Sequence, residues 1–186
     1  MRVLSGTSSG LPAGIYPQLA SYRHEVFVQR LGWQLQTPEG VEVDQFDRPD
    51  TVYVVAQEDD GRIAGCGRLL PTLHPYLLGD VFPQLLHGQT PPCSAEVWEL
   101  SRFCALDLQQ RTHTPAGQFS SVVTVTLLDA AVRCAAGLGA RRLITVSPLG
   151  VERLLRHAGF HAHRAAPPII IDGHPLFACY IEVDRC

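Results

Sequence analysis

Charged and polar residues inside apolar segments are the first candidates for chemistry in this sequence. Arg68 lies in the stretch RIAGCGRLL, and Glu99, Ser101 and Arg102 lie in VWELSRF; both stretches have the composition of β-strands. A buried charge is costly unless a partner or a ligand compensates it. Glu99 and Ser101 share one face of their strand, whereas Arg102 points to the other face or to a bulge. A salt bridge at the rim of a sheet is an equally good explanation.

A second group of candidates precedes these strands in the chain. Arg23 and Phe27 are four residues apart and share one face of a predicted helix, and Trp33, Asp44 and Asp47 follow in a polar loop. Taken one at a time, Trp33 is better explained as a core anchor and the two acids as solvated. Taken together, the helix face, the acidic loop and the charged strands predict a cleft that binds a ligand with both signs of charge.

The secondary structure predicted to position these residues is a mixture of helices and strands along the chain. We predict a helix over residues 16–31, a loop over 32–49, a hairpin over 51–70, a short helix within 76–88, a strand over 97–106, a helix over 118–138, a strand over 142–146, a helix over 148–158, and strands over 169–171 and 176–183. This order predicts an α/β fold of the α+β type, a three-layer sandwich with a central mixed, mostly antiparallel sheet. We expect one domain over residues 1–186, with residues 1–14 flexible.

Composition excludes several classes of protein. The 186 residues include 15 basic residues that are all Arg, so Schiff-base, pyridoxal and Walker-type phosphate chemistry, which need Lys, are excluded. A net charge of −3 argues against a nucleic-acid partner. The six cysteines form no CxxC pair, which favours reduced thiols over zinc ligands or disulfides. No apolar run is long enough to span a membrane and no secretory signal is visible, so we expect a cytoplasmic protein.

Three other motifs are candidates for binding sites. Residues 62–67, RIAGCG, match the R/Q-x-x-G-x-G loop that binds acetyl-CoA, but they lead into a strand and not into the helix N-terminus that a pyrophosphate needs. The loop over 111–117 precedes a helix and is the better anion site, although such a loop is more often only a cap. His157, His161 and His163 lack matching Cys or acidic partners, so we expect no metal.

The candidates resemble the acyl-homoserine-lactone synthases of the LuxI type, which make quorum-sensing signals. Four ordered motifs carry the resemblance: YRHEVFVQRLGW, EVDQFDRPDTVYVVA, AGCGRLLPT and VWELSRFCA. Two later stretches, RLITVSPLGVERLLRHAGF and PPIIIDGHPLFACYIEV, resemble the strand-and-helix segment and the variable tail of that family. The resemblance therefore covers nearly the whole chain.

The resemblance implies a fold related to the N-acetyltransferases. It also implies an acyltransferase that joins an acyl chain to S-adenosylmethionine, which is a substrate and not a tightly bound cofactor. The acyl donor is acyl carrier protein, or for some members a coenzyme A thioester. The products are an N-acyl-homoserine lactone, the carrier thiol and methylthioadenosine. The alternatives are an N-acyltransferase that uses acyl-CoA on another small amine, and a binding protein that has lost turnover.

The family pattern also implies roles for individual residues. The residues expected around S-adenosylmethionine are Arg23, Phe27, Trp33 and Asp44. The residues expected in catalysis are Glu99, Ser101, Arg102 and Asp47. We assign Glu99 as the general base, with Asp47 as the alternative, and place the oxyanion of the thioester near Ser101 and Arg102.

Acyl transfer needs a second set of residues and a docking surface. The residues expected at the acyl chain or phosphopantetheine are Arg68, Phe103, Val123, Thr145 and Ser147. Arg68 and Arg102 either face the phosphopantetheine or hold an ionic cluster together with Asp47. Chain length depends on a few side-chain volumes, and we favour an unsubstituted chain of six to eight carbons. The surface expected to dock the acidic carrier protein is basic and comprises Arg133, Arg141, Arg142, Arg153 and Arg156.

Overall fold

The structure is a computed structural model that describes residues 1–106, 108 and 122–183. The chain divides into two compact units. The first unit comprises Met1–Arg68 and Arg102–Ala130, and the second comprises Leu69–Ser101 and Ala131–Cys186. The predicted anion loop over 111–117 lies outside the described residues.

The first unit contains strands β1 (Arg2–Thr7) and β2 (Val52–Gln57) and parts of β3 (Ile63–Pro71) and β4 (Val97–Ala105), in the order β1-β2-β3-β4. Strand β1 pairs antiparallel with β2 from Arg2↔Gln57 to Thr7↔Val52. Part of the segment expected to be flexible, Arg2–Thr7, therefore lies in a paired strand. β1 is half-exposed and lacks a clear apolar alternation, but the fully buried β2 supplies a partner for its backbone.

The first helix of this unit ends in a widened turn. Helix α1 (Ile15–Arg23) continues without a break into the π-helical segment His24–Arg30, where the Leu31 N–H donates to the Val26 carbonyl at 2.9 Å. The helix predicted over residues 16–31 is confirmed, and so is the loop over 32–49, which contains no helix or strand. Single π-helical turns occur often at functional sites.

The hairpin predicted over residues 51–70 is confirmed as β2 and β3, joined by a turn in which the Glu58 N–H donates to the Arg62 carbonyl at 2.8 Å. Gly65 in β3 has a packing role. A Cβ at Gly65 would lie 3.0 Å from both the Cys104 carbonyl oxygen and Leu127 Cδ2. Close packing within the first unit therefore explains why position 65 is a glycine. A role in binding a pyrophosphate is not needed to explain it.

The second unit is built on β5 (Arg142–Pro148) and β8 (His174–Glu182), which pair antiparallel over the whole of β5. Its strand order is β3-β4-β5-β8-β6, where β6 is Ala162–Arg164, and β7 (Ile169–Ile171) pairs antiparallel with β8. Strand β4 runs parallel to β5. The predicted mixed, mostly antiparallel sheet is therefore confirmed.

The remaining helices agree with the sequence prediction. They are α2 (Leu77–Asp80), the 3₁₀ helix Pro83–Leu86, α3 (Val122–Gly137) and α4 (Val151–His157). Residues 118–121 of the predicted third helix lie outside the described residues. Strand β6 was not predicted, because three residues are too few to show a period of two. Over the described residues, no helix is long and apolar enough to cross a membrane.

Candidate active site

Three arginines and three acids form one cluster inside the first unit, and we call this set the ionic cluster. Its members are Arg23, Glu42, Asp44, Asp47, Arg68 and Arg102. Helix α1, the loop over residues 32–49, β3 and β4 each contribute at least one member. Every side chain is buried, except that Asp44 keeps 16% of its surface exposed. The formal charges balance, which is what burial of six charged groups requires.

Arg23 sits at the end of α1 and holds two acids at once. Its Nε donates to Glu42 Oε2 at 2.5 Å, while Nη1 and Nη2 donate to the two oxygens of Asp47 at 2.7 and 3.1 Å. This two-pronged arrangement matches the planar guanidinium to the carboxylate and fixes both side chains. Arg23 and Asp47, which the sequence predicted separately, are therefore direct partners.

Arg68 and Arg102 complete the ionic cluster from the two strands. Arg68 Nη1 lies 2.6 Å from Asp44 Oδ1 and 3.2 Å from Asp47 Oδ1. Arg102 Nη2 donates to Glu42 Oε1 and to Asp44 Oδ2, each at 3.0 Å. Both guanidinium groups therefore hold the cluster together, which is one of the two arrangements that the sequence left open.

Asp47 is the most heavily bonded acid of the ionic cluster. Besides its arginine partners, it accepts the Tyr53 hydroxyl at 2.9 Å and the Asp44 backbone N–H at 2.8 Å. Burial opposes its ionisation, but the hydrogen bonds and charge of Arg23 and the charge of Arg68 outweigh burial and hold the pKa of Asp47 well below its usual range. Asp47 is therefore a weak proton acceptor.

The lowered pKa of Asp47 predicts a loss of stability in acid. The unfolded chain binds a proton at this carboxyl below about pH 4, whereas the folded protein does not, so stability is present above that pH and is lost as the pH falls. Urea unfolding of the wild type should therefore lose up to about 1.4 kcal/mol per pH unit more than unfolding of Asp47→Asn below pH 4. Parallel pH profiles for the two proteins would contradict the prediction.

Arg102 occupies an unusual backbone conformation and faces two aromatic rings. Its φ is 51°, in the left-handed region that side chains rarely adopt, at the position in β4 where the sequence allowed a bulge. The guanidinium carbon lies 5.7 Å from the ring centre of Phe27 and 5.5 Å from that of Trp33. Trp33 is 42% exposed, so it is not a core anchor and can offer its ring to a ligand.

Glu42 is the member of the ionic cluster that sequence reasoning missed. It is fully buried, bridges Arg23 and Arg102, and its backbone N–H donates to the Ala20 carbonyl at 2.9 Å. The loop around it has no periodicity that would mark a buried position. The sequence feature that could have indicated a buried acid is its position two residues before Asp44, between two valines.

Glu99 lies in the second unit, where its carboxylate is fully buried. Oε2 accepts the Leu77 N–H at 3.0 Å and Oε1 accepts the Leu78 N–H at 2.6 Å, at the start of α2. These bonds fix the carboxylate and satisfy two amides that the helix leaves without internal partners. Ser101, two residues further along β4, is also buried.

Strands β4 and β5 pair only from Val97↔Arg142 to Glu99↔Ile144. Thr145 and Ser147 lie beyond this pairing, in the part of β5 that pairs with β8, and both are buried. The Thr145 hydroxyl has a long contact of 3.4 Å with the Val146 carbonyl. It is therefore held only weakly by the backbone.

Phe103 and Val123 lie in the first unit and are partly buried, so the structure places the five predicted acyl-site residues in different units. Phe103 follows Arg102 in β4, and Val123 lies in the first turn of α3. The described residues contain no group of three or more His, Cys, Asp or Glu side chains that could hold a metal ion.

Comparisons with known proteins show the family to which the chain belongs. A family model described as autoinducer synthase matches residues 13–186. An acyl-homoserine-lactone synthase of Acinetobacter nosocomialis is 54% identical over 183 residues, which cover 98% of this chain and all of that protein. The crystal structure of TofI in a ternary complex with an inhibitor and MTA has 48% identity and a TM-score of 0.83, and the match covers 99% of this chain and 92% of TofI.

Two further structures bear on the fold and on the acyl donor. MesI, a CoA-dependent acyl-homoserine lactone synthase, has 29% identity and a TM-score of 0.78, and the match covers 98% of this chain and 89% of MesI. An acyl-CoA N-acyltransferase from Pseudomonas aeruginosa has 19% identity and a TM-score of 0.64 over 96% of this chain and 97% of its own, and it shares the fold alone.

The fold and the comparisons define an acyltransferase with an N-acetyltransferase-like fold. The chain belongs to the autoinducer synthase family, and it is an enzyme of the acyl-homoserine-lactone synthase type that uses S-adenosylmethionine as a substrate.

Proposed function

We propose that this enzyme transfers an acyl chain from acyl carrier protein to the amine of S-adenosylmethionine and then closes the homoserine lactone, with release of methylthioadenosine. The observation that carries this proposal is the charge-balanced ionic cluster beside the half-exposed ring of Trp33. S-adenosylmethionine carries an ammonium, a sulfonium and a carboxylate, so its recognition needs groups of both signs and an aromatic face. The first unit supplies all three kinds of group.

The least buried acid of the ionic cluster provides the contact for the ammonium. Asp44 is 16% exposed, whereas Glu42 and Asp47 are almost fully enclosed. The Trp33 ring, packed against Phe27 with 4.8 Å between ring centres, suits the sulfonium by cation–π attraction. Arg23 helps to position Asp44 and the Trp33 ring through its bonds to Glu42 and Asp47.

Acylation requires removal of one proton from the amine. An α-amino group has a pKa near 7.7–8.0, so its deprotonation at pH 7 costs only about 1 kcal/mol. We assign the acceptor of this proton to Glu99, acting through a water, because the lowered pKa of Asp47 leaves Asp47 a poor proton acceptor. The amine nitrogen attacks the thioester carbonyl, Ser101 and Arg102 stabilise the oxyanion, and collapse expels the thiolate of the carrier.

Lactone formation then needs little help from acid or base. The methionine carboxylate attacks its own γ-carbon, a C–O bond forms, and the C–S bond to the sulfonium breaks. The leaving group departs as neutral methylthioadenosine, which requires no proton. Holding the chain in a folded conformation supplies the advantage of an intramolecular reaction.

A basic surface of the second unit supports acyl carrier protein as the donor. Arg153 and Arg156 are exposed on α4, and Arg156 shares Glu152 with Arg164 of β6. Glu152 is the only acid among residues 131–164, which also contain Arg133, Arg141 and Arg142. Such a surface attracts an acidic partner and guides its approach, an effect that salt weakens.

Reversing the charge of α4 tests this docking surface. The double variant Arg153→Glu, Arg156→Glu should raise KM for acyl carrier protein at least about tenfold at low salt and leave KM for S-adenosylmethionine unchanged. The matched control is Arg62→Glu, an exposed arginine in the hairpin turn of the first unit. Equal KM values for the carrier in the double variant and the control would contradict the docking proposal.

A coenzyme A thioester is the second candidate donor, because MesI is a CoA-dependent synthase. Steady-state kinetics with matched acyl chains on acyl carrier protein and on coenzyme A separate the two donors. We expect the carrier protein to give the higher kcat/KM, with a preference for unsubstituted chains of six to eight carbons. A higher kcat/KM for the coenzyme A thioester would overturn the choice of donor and leave the lactone reaction intact.

We also propose that residues 1–186 work as one synthase domain in the cytoplasm. The six cysteines form no CxxC pair, which favours reduced thiols and so a reducing compartment. Cell fractionation with an antibody to the protein would test this placement; recovery in the membrane or culture medium would contradict it.

A further inference from the structure

Two neighbouring strands bring Cys66 and Cys104 together in the first unit. The Leu106 N–H donates to the Ala64 carbonyl at 2.9 Å, and this register places Cys66 of β3 directly opposite Cys104 of β4. The two sulfur atoms are 3.6 Å apart and both thiols are free. The reaction described above uses neither thiol.

The geometry of this pair suits a disulfide. Directly opposed residues of antiparallel strands have Cα atoms about 4.5–5.5 Å apart, within the range of roughly 4.4–6.8 Å that a disulfide spans. The sulfur atoms need to approach by only about 1.5 Å to form a bond. We propose that Cys66 and Cys104 are a redox modification site, which a peroxide oxidises to a disulfide that lowers the activity of the enzyme.

The two thiols differ in their access to an oxidant. Cys104 is partly buried, whereas Cys66 is almost fully buried. The adjacent Cys104 thiol and burial both raise the pKa of Cys66, so Cys66 is the less reactive of the two toward a peroxide in solution. Cys104 therefore reacts first with the peroxide, and Cys66 acts as the resolving thiol.

Oxidation proceeds in two balanced steps. The Cys104 sulfur attacks hydrogen peroxide, an S–O bond forms, the O–O bond breaks, and one water leaves with the thiol proton. The Cys66 sulfur then attacks the Cys104 sulfenic acid, an S–S bond forms, the S–O bond breaks, and a second water leaves. Two thiols and one peroxide thus give one disulfide and two waters, and the peroxide oxygens are reduced.

Arg102 connects this pair to the ionic cluster. The Cys66 thiol donates to the Arg102 carbonyl at 3.3 Å, and the Arg102 side chain bonds Glu42 and Asp44. A disulfide removes that S–H donor and draws the Cys66 sulfur toward Cys104, beside a residue already in the left-handed backbone region. A displacement of about 1 Å in a positioning group can cost roughly 10²-fold in rate. The loss of activity rests on the proposed function of the cluster.

The test combines a chemical and a kinetic readout on the full-length protein. After treatment with hydrogen peroxide and alkylation of the remaining thiols, peptide mass spectrometry should find Cys66 linked to Cys104 with the loss of two hydrogen atoms. Activity should fall by roughly 10- to 100-fold and return after reduction with dithiothreitol. Cys104→Ser and Cys104→Ala should keep the untreated activity and resist peroxide, whereas the control Cys93→Ser, at an exposed cysteine, should stay sensitive.

Three outcomes would overturn the inference. The first is oxidation of other cysteines without a link between Cys66 and Cys104. The second is an equal loss of activity in the wild type and in both Cys104 variants. The third is complete formation of the link with unchanged turnover. Failure of the proposed function itself would appear separately, as an untreated enzyme without synthase activity, while the linked peptide still reports on the thiol pair.

Discussion

Glu99→Gln should lower kcat by roughly 10²–10⁴-fold, the usual contribution of a general base. Glutamine keeps the size of the side chain but does not accept a proton from the amine. It also places an NH₂ group opposite one of the Leu77 and Leu78 backbone N–H donors, which costs about 1–3 kcal/mol of stability. Steady-state kinetics should be measured at a temperature where circular dichroism shows the variant fully folded.

The comparison of kcat with stability separates a catalytic role of Glu99 from a purely structural one. If Glu99 only fixes the start of α2, the unfolding midpoint falls but the folded variant keeps the wild-type kcat. That result would contradict the assignment of Glu99 and return the role of base to Asp47. The control is Glu96→Gln, an exposed glutamate three residues earlier that pairs with Arg141 and should leave kcat unchanged.

Glu42→Gln should cost about 3–5 kcal/mol in the free energy of unfolding, because it removes one partner from a buried ion pair. The change leaves Arg23 and Arg102 facing a neutral amide in a fully buried position. It also converts a balanced ionic cluster into one with a net positive charge. Urea unfolding at pH 7 measures this loss directly.

Glu39→Gln is the matched control, since Glu39 lies exposed on the same loop, three residues before Glu42. Its free energy of unfolding should stay within about 0.5 kcal/mol of the wild type. KM for S-adenosylmethionine should rise in Glu42→Gln and not in Glu39→Gln, because Glu42 positions both Arg23 and Arg102. Equal stability of the two variants would show that the ionic cluster does not depend on Glu42.

The elements that could be predicted from the sequence are those with a strong local pattern. The hairpin over residues 51–70 has two apolar strands around an acidic turn, and the helix over 16–31 has apolar residues at helical spacing; both are confirmed. Strand β1 escaped prediction because it is stable only through its pairing with β2. The three residues of β6 likewise depend on pairing with β8.

The residues of the candidate site likewise include some that the sequence predicts and one that it does not. Charged residues inside apolar strands, such as Arg68 and Arg102, stand out in the sequence because burial of a charge demands a partner. Glu42 lies in a loop without periodicity, where no pattern separates a buried acid from a solvated one. Its burial is visible only when α1 and β4 bring Arg23 and Arg102 to it.

Identification of the reaction products is the most direct test of the proposed synthase activity. Purified enzyme is mixed with S-adenosylmethionine and acyl carrier proteins bearing chains of four to twelve carbons, and all small molecules are analysed by mass spectrometry. We expect an N-acyl-homoserine lactone and methylthioadenosine in equal amounts. An acylated amine without lactone or methylthioadenosine, or no turnover with any donor, would contradict it.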